Sequence, residues 1–212
     1  MPTLLREYYF WFEILAFLVS LFVWGKLQFT RLSTLPFYLA FILLMEVITF
    51  YMKLNRQMSN TIINSLLIPV EFVYLLLLLR SFLNDRRLKK VVVMIVLAYL
   101  LILTIDLLYY RETYLRLYLR SYITGVCFLV IACCFYFFEM MNSERILSFY
   151  QNPEFWLTTG VLIFYLGTLP FHIYLNTGSS KNVEILVRIK GIFYLLMCTM
   201  YIFFTIAMIR LK

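Results

Sequence analysis

Long runs of apolar residues, separated by short polar segments, follow one another along the chain. Each run is about twenty residues long, and at ~1.5 Å per residue a helix of that length crosses the ~30 Å hydrocarbon layer of a membrane. Because the runs are continuous, and because lipid offers no partner to an open backbone, they are predicted to form helices and not barrel strands. The predicted helices cover residues 8–24, 36–52, 61–80, 91–110, 122–141, 155–175 and 183–209.

This pattern predicts an all-α membrane protein, a bundle of seven transmembrane helices with short loops, in one domain over residues 1–212. The composition agrees, since 64% of the residues are hydrophobic and only 14% are charged. The four cysteines lie inside apolar runs without CxxC spacing, which favours packing over a disulfide framework or a zinc site. They are Cys127, Cys133, Cys134 and Cys198.

The basic residues concentrate between the apolar runs, so the net charge of +8 indicates membrane topology and lipid headgroups, not nucleic acid. Their densest cluster, Arg86, Arg87, Lys89 and Lys90, follows the third predicted helix in what is predicted to be a loop. Cytoplasmic loops are enriched in Lys and Arg. We therefore expect this loop and the C-terminus inside, and the N-terminus outside.

Glu71 lies near the middle of the predicted helix 61–80, at the midplane of the hydrocarbon layer. A charged group at that depth costs about 2.5 kcal/mol or more, so it is expected to face a protein interior or a water-filled cavity. Pro69, two residues earlier, removes a backbone donor and favours a kink at the same place. Glu71 is therefore a candidate functional residue.

Helix direction alternates along the chain, which places seven further polar residues in one half of the membrane. Early positions of odd helices and late positions of even helices share the side of the N-terminus. The residues at such positions are Glu13, Glu46, Asn64, Asp106, His172, Arg188 and Lys190. We expect them to line a polar, ligand-binding cavity that opens outward and has Glu71 as its floor.

Other interpretations of these residues stay open. Glu13, Asp106 and Arg188 lie within about two turns of predicted helix ends and could reach the headgroups by snorkelling. His172 is also explained by an interfacial position or an ordinary hydrogen bond, and Glu139 by an interfacial position. A pairing of Glu46 or Glu71 with Arg188 or Lys190 is the specific expectation, and it could be a purely structural buried ion pair.

Several kinds of chemistry are excluded or disfavoured. A single histidine rules out two-histidine metal sites and bis-histidine haem, and GxSxG, Walker A and GxGxxG motifs are missing. No catalytic residue, metal or cofactor is therefore predicted. A carboxylate-pair hydrolase built from Glu46, Glu71 and Asp106 stays open. A retinal Schiff base at Lys190 with Glu71 as counterion is disfavoured, since Lys190 lies early in its helix beside Arg188.

Two stretches resemble a known group of proteins. Asn152, Pro153, Phe155 and Trp156 form an Asn-Pro-x-Phe-Trp start to the sixth predicted helix, with Gly160 and an aromatic-x-Gly at Gly167 following. Together with the Asn64…Glu71 stretch, this is similar to small seven-helix membrane proteins of the Bacteroidota. Those proteins look like sensor partners of histidine kinases, and the resemblance implies a similar role here.

The leading hypothesis is therefore a bacterial inner-membrane receptor that binds a small or lipophilic ligand and signals to a separate cytoplasmic kinase. Its expected partners are the lipid bilayer, that kinase and the ligand, without nucleic acid. The first alternative is a small transporter or proton-coupled carrier with a midplane site at Glu71. A faint similarity between residues 50–55 and 171–176, which would suit a repeat of helices 1–3 and 5–7, supports it. An intramembrane lipid-modifying enzyme and a purely structural subunit are further alternatives.

Overall fold

The computed structural model describes residues 2–54, 60–109, 114–176 and 183–211. In those ranges the regular secondary structure is helical, without strands. The α-helices are α1 (Pro2–Phe22), α2 (Trp24–Leu27), α3 (Leu35–Leu54), α4 (Asn60–Phe82), α5 (Arg86–Tyr109), α6 (Tyr114–Met141), α7 (Pro153–Asn176) and α8 (Val183–Ile209). A 3-10 helix, Glu144–Gln151, lies between α6 and α7.

Five stretches of the described helices are long and apolar enough to cross a membrane. They are Leu35–Met52, Arg86–Leu108, Leu119–Met141, Pro153–Tyr174 and Leu186–Ile209. A shorter apolar helix covers Tyr8–Phe22. The prediction of an all-α integral membrane protein is therefore confirmed, whereas seven spans and the sidedness of the termini stay predictions.

Three helices begin five or more residues earlier than predicted, and one of them is α1, which begins at Pro2 instead of 8. Helix α5 begins at Arg86 instead of 91, and α6 begins at Tyr114 instead of 122. The prediction that the basic cluster lies in a loop was therefore wrong, because Arg86–Lys90 forms the first turn of α5. Hydropathy marks only the lipid-embedded part of a helix, and a helix continues beyond it where water or headgroups solvate its charges.

The start of α5 is capped by two carboxylates. Asp85 accepts a hydrogen bond from the backbone N–H of Arg87, at 2.7 Å. Glu139, near the end of α6, accepts hydrogen bonds from the backbone N–H of Asn84 at 2.8 and 2.9 Å and from that of Asp85 at 3.2 Å. Glu139 was expected only to lie at the interface; it also binds the backbone N–H groups of the two residues that precede α5.

Replacing Glu139 with alanine is expected to lower the free energy of unfolding by about 1–2 kcal/mol, because the N–H groups lose a charged acceptor. Denaturation in mixed detergent micelles, followed by circular dichroism, measures this loss. Glu139→Gln is the matched control, because it keeps one acceptor oxygen and should lose about half as much. An alanine variant as stable as the wild type would show that the cap contributes nothing.

The chain divides into two compact units. The terminal unit contains Met1–Leu43 and Met140–Lys212, and the central unit contains Leu44–Glu139. Helix α3 therefore contributes its first half to one unit and its second half to the other. This division leaves the prediction of one domain untested.

In the terminal unit, α8 packs against both α1 and α7. The buried side chains of α1 recur every three or four residues, as expected for one face of a helix: Tyr9, Glu13, Ala16 and Ser20. The rings of Tyr9 and Tyr194 stack across the α1–α8 contact, with their centres 5.3 Å apart. Glu13 therefore lies on the face of α1 that the unit buries.

In the central unit, α4 packs against α5, and an aromatic cluster joins both helices to α6. The ring centre of Phe72 on α4 lies 6.0 Å from that of Tyr99 on α5 and 5.6 Å from that of Tyr122 on α6. All three side chains are buried. Gly125 on α6 lies under the Phe72 ring, and a Cβ there would be only 2.5 Å from a ring atom. Glycine is what allows α4 and α6 to approach this closely.

Candidate functional site

Glu13 and His172 lie in the interior of the terminal unit, with 0% and 2% of their surface exposed. Neither side chain is directed to lipid at the membrane boundary, as snorkelling would require. Arg188 and Lys190, in contrast, are exposed on α8. The terminal unit thus buries the acid and the imidazole of the predicted cavity and leaves the two cations at its surface.

Aromatic rings connect the three main helices of the terminal unit around these two residues. His172 on α7 lies against Phe193 on α8, with ring centres 6.1 Å apart, and Phe193 adjoins Tyr194. Tyr194 stacks on Tyr9, which lies one helical turn before Glu13. Glu13 and His172 therefore belong to one buried region, which a row of aromatic side chains connects.

The central unit contains the other predicted cavity residues. Glu46 on α3 and Glu71 on α4 are half-buried, and Asp106 on α5 is 5% exposed. The side chain of Asn64 lies outside the described residues. Pro69 is buried, and α4 continues through it as a helix.

The sequence analysis missed a pair of buried hydroxyl groups on α5 and α6, one of which is within electrostatic range of Glu71. The Tyr99 hydroxyl on α5 is 2.8 Å from the Ser121 hydroxyl on α6, and both side chains are buried. The charge of Glu71 acts on Tyr99, whose ring also contacts Phe72, the neighbour of Glu71. A hydropathy pattern cannot reveal this pair, because tyrosine counts as an ordinary aromatic residue of an apolar run.

Asp106 forms an ion pair that was not predicted. Its Oδ1 atom is 3.3 Å from Nη1 of Arg120 on α6, whose side chain is 54% exposed, whereas that of Asp106 is 7% exposed. The alternative that Asp106 reaches the headgroups by snorkelling did not include this partner, and the carboxylate is buried beside it. The order of the helices could have predicted this pair. Because α6 follows α5 directly, a residue late in α5 and a residue early in α6 lie at the same depth in the membrane.

The polar groups of the central unit therefore form a series from a helix end toward the helix centre. The series begins at Asp106 and Arg120 and continues to Tyr99 with Ser121, about two helical turns or ~10 Å deeper along α5. Glu71, near the middle of α4, lies within electrostatic range of Tyr99. We call these five residues the central polar series. The pairing of Glu46 or Glu71 with Arg188 or Lys190 stays a prediction.

The described residues give no sign of a metal centre. Among them, no three His, Cys, Asp or Glu side chains are grouped closely enough to hold a metal ion. Their cysteines are free thiols, and Cys133 is buried. The arrangement offers hydrogen-bond donors, acceptors and charges to a ligand.

Two of the surface grooves in the described parts are lined by no residue of the predicted cavity. A groove of about 430 Å³ in the terminal unit is lined by Phe29–Leu32, Asn152–Glu154 and Leu211, and it contains the Arg31–Glu154 ion pair at 3.4 Å. A groove of about 520 Å³ in the central unit lies where α4 ends and α5 begins.

The fold and these groups define an integral membrane protein of α-helices with ionisable side chains retained in its interior. No protein-family model matches the chain, and no curated protein or solved structure matches it. Only the residues themselves therefore indicate a function.

Proposed function

We propose that the chain is a receptor-like sensory module of a bacterial inner membrane, with seven spans, the N-terminus outside and the C-terminus inside. It binds a small or lipophilic molecule in the outer half of the membrane and signals to a separate cytoplasmic kinase. The observation that carries the proposal is the central polar series, whose buried members cost free energy that an all-apolar packing would avoid.

The series offers a ligand both hydrogen bonds and charge. Glu71 accepts hydrogen bonds as a carboxylate, while Tyr99 and Ser121 each donate or accept one. A ligand with an amine or hydroxyl group on an apolar body matches this combination. Its polar end would bond Glu71 and Tyr99, and its body would replace lipid against the helices.

Binding is proposed to change the equilibrium between two arrangements of α5 and α6. A ligand that takes the Tyr99 hydroxyl as its partner competes with Ser121 for the bond between the two helices. The ligand therefore favours an arrangement in which that bond is released. Helix α5 runs from this bond to the basic first turn at Arg86, on the predicted inner side, so its movement reaches the kinase.

Ligand-dependent stabilisation tests the binding step. Purified protein is heated in detergent with a panel of apolar amines, alcohols and lipids, and its unfolding is followed by tryptophan fluorescence. We expect at least one class to raise the midpoint, with affinity about tenfold weaker in Glu71→Gln and Tyr99→Phe, as for a lost hydrogen bond to a charged group. Glu144→Gln makes the same change at an exposed acid of the 3-10 helix and should bind normally.

Two outcomes would contradict the receptor proposal. One is that no compound of the panel stabilises the protein; the other is that Glu144→Gln weakens binding as much as Glu71→Gln does. The signalling step is tested separately, by asking whether a histidine kinase encoded beside this chain co-purifies with it and changes its activity when the ligand is added.

A carrier is the second candidate, and the position of Pro69 favours it. This buried proline lies inside α4 two residues before Glu71, where it removes one backbone hydrogen bond beside an ionisable group. We propose on this basis that Glu71 could take up and release a proton or bind a cation during transport. Uptake into proteoliposomes that Glu71→Gln abolishes and Glu144→Gln leaves intact would favour the carrier over the receptor.

A further inference from the structure

The groove of about 520 Å³ at the junction of α4 and α5 is strongly basic. Arg80, at the end of α4, lines it together with Arg86, Lys89 and Lys90 from the first turn of α5. Within the described residues, no carboxylate oxygen lies within 4.0 Å of any of these four cations. Their charges are therefore available to an anion from outside the chain.

The two acidic residues at the start of α5, Asp85 and Glu139, are already engaged. Asp85 accepts a hydrogen bond from the backbone N–H of Arg87. Glu139 accepts hydrogen bonds from the backbone N–H groups of Asn84 and Asp85. Neither acid lines the groove. In addition, a helix N-terminus is the positive end of the helix dipole, where cations are unfavourable and an anion is stabilising.

An exposed apolar stripe continues from the groove along α5. Val93 and Met94 line the groove itself. From Met94 toward the C-terminus of α5, exposed apolar side chains recur every three or four residues on one face of the helix. These side chains are Met94 at 61%, Leu97 at 61%, Leu101 at 62%, Ile105 at 55% and Leu108 at 81% exposure. Leu101, in the middle of the stripe, lies ~16 Å along the helix from Lys90, about the depth of one leaflet.

We propose that this groove is a binding site for an anionic phospholipid. The four cations hold its phosphate, and an acyl chain lies along the stripe that begins at Met94. A soluble phosphate would match the charge but would leave the stripe unused, whereas a zwitterionic lipid would match the stripe but carry no net charge. Anionic lipid of the cytoplasmic leaflet has both features, and each Lys or Arg near a membrane surface adds favourable attraction to it.

Binding is measured on the full-length protein in neutral detergent, by native mass spectrometry and by thermal unfolding. The probes are phosphatidylglycerol, phosphatidylcholine of the same acyl chains, and soluble glycerol phosphate. We expect phosphatidylglycerol to bind and to raise the unfolding midpoint, with an effect that weakens as salt is added. Neither of the other two probes should reproduce it at equal concentration.

The variant Lys89→Gln/Lys90→Gln is expected to bind phosphatidylglycerol about tenfold more weakly, since two of four cations are lost. Lys26→Gln/Arg210→Gln is the matched control, because it removes the same charge from exposed positions that are predicted to lie on the same side of the membrane. Lys89→Arg/Lys90→Arg keeps the charge and should bind like the wild type. Circular dichroism shows whether each variant is folded.

Three results would overturn the proposal. Equal binding of phosphatidylcholine would leave no role for the cations, and equal binding of glycerol phosphate would indicate a soluble anion instead of a lipid. An equal loss in the Lys26→Gln/Arg210→Gln control would show that only net charge matters. Because detergent solution has no sides, none of these measurements depends on the predicted orientation or on the receptor proposal.

Discussion

Replacing Arg120 with glutamine is expected to lower the free energy of unfolding by about 2–3 kcal/mol, because it leaves the buried Asp106 carboxylate without its cation. This loss is smaller than the ~3–5 kcal/mol typical of a broken buried pair, because the Arg120 side chain is 54% exposed and water screens its charge. Unfolding in mixed detergent micelles, followed by circular dichroism, measures the change.

Replacing the acid of the pair instead of the base should lower the free energy of unfolding by less. Asp106→Asn removes the buried charge itself, and the amide oxygen still accepts a hydrogen bond from Arg120, so a loss of about 1 kcal/mol is expected. The double variant Asp106→Asn/Arg120→Gln should be more stable than Arg120→Gln alone, because no buried carboxylate remains. If Arg120→Gln were instead the mildest of the three, the pair would be a surface contact without energetic importance.

The sequence predicted which segments form apolar helices better than it predicted which side chains contact each other. Apolar runs reveal the helices because a membrane span needs about twenty apolar residues in any protein. They also revealed Glu71, since a single acid among leucines stands out. The meeting of Asp106 with Arg120, by contrast, depends on where α5 ends and α6 begins, and hydropathy placed the start of α6 several residues too late.

The contact between the Tyr99 and Ser121 hydroxyl groups could not be predicted, for a different reason. Its two residues are ordinary for apolar helices, and only the rotation of α5 against α6 brings their hydroxyl groups to 2.8 Å. Close packing sets the rotation of each helix; the contact of Gly125 with the Phe72 ring, for example, fixes α6 against α4. The periodicity of a single sequence does not reveal such contacts, so the polar residues could be named from the sequence and their partners could not.

Close packing also makes Gly160, in the terminal unit, sensitive to substitution. A Cβ at this position of α7 would lie 2.6 Å from the Phe203 Cβ on α8 and 3.5 Å from the Met200 carbonyl oxygen. The Phe203 Cβ is attached directly to the backbone, so no rotation of a side chain can move it away. An alanine at Gly160 therefore forces α7 and α8 apart.

Gly160→Ala is expected to lower the free energy of unfolding by about 1–3 kcal/mol, the usual cost of overpacking, although alanine is otherwise the better helix former. Tryptophan fluorescence during denaturation in mixed micelles measures it, and Trp156 on α7 reports from the same contact, since its ring centre is 5.6 Å from that of Phe203.

Two other glycines serve as graded controls for this prediction. At Gly167 a Cβ would meet only the branched tip of Leu196, at 2.7 Å, and that tip can turn aside; at Gly25 nothing lies within 4 Å. Gly167→Ala should therefore be nearly neutral, and Gly25→Ala neutral or stabilising by up to about 1 kcal/mol from helix propensity. Equal effects at all three positions would mean that propensity, and not the approach of α7 to α8, decides what a glycine contributes. The order Gly160, Gly167, Gly25 from most to least destabilising is what contact between the two backbones requires.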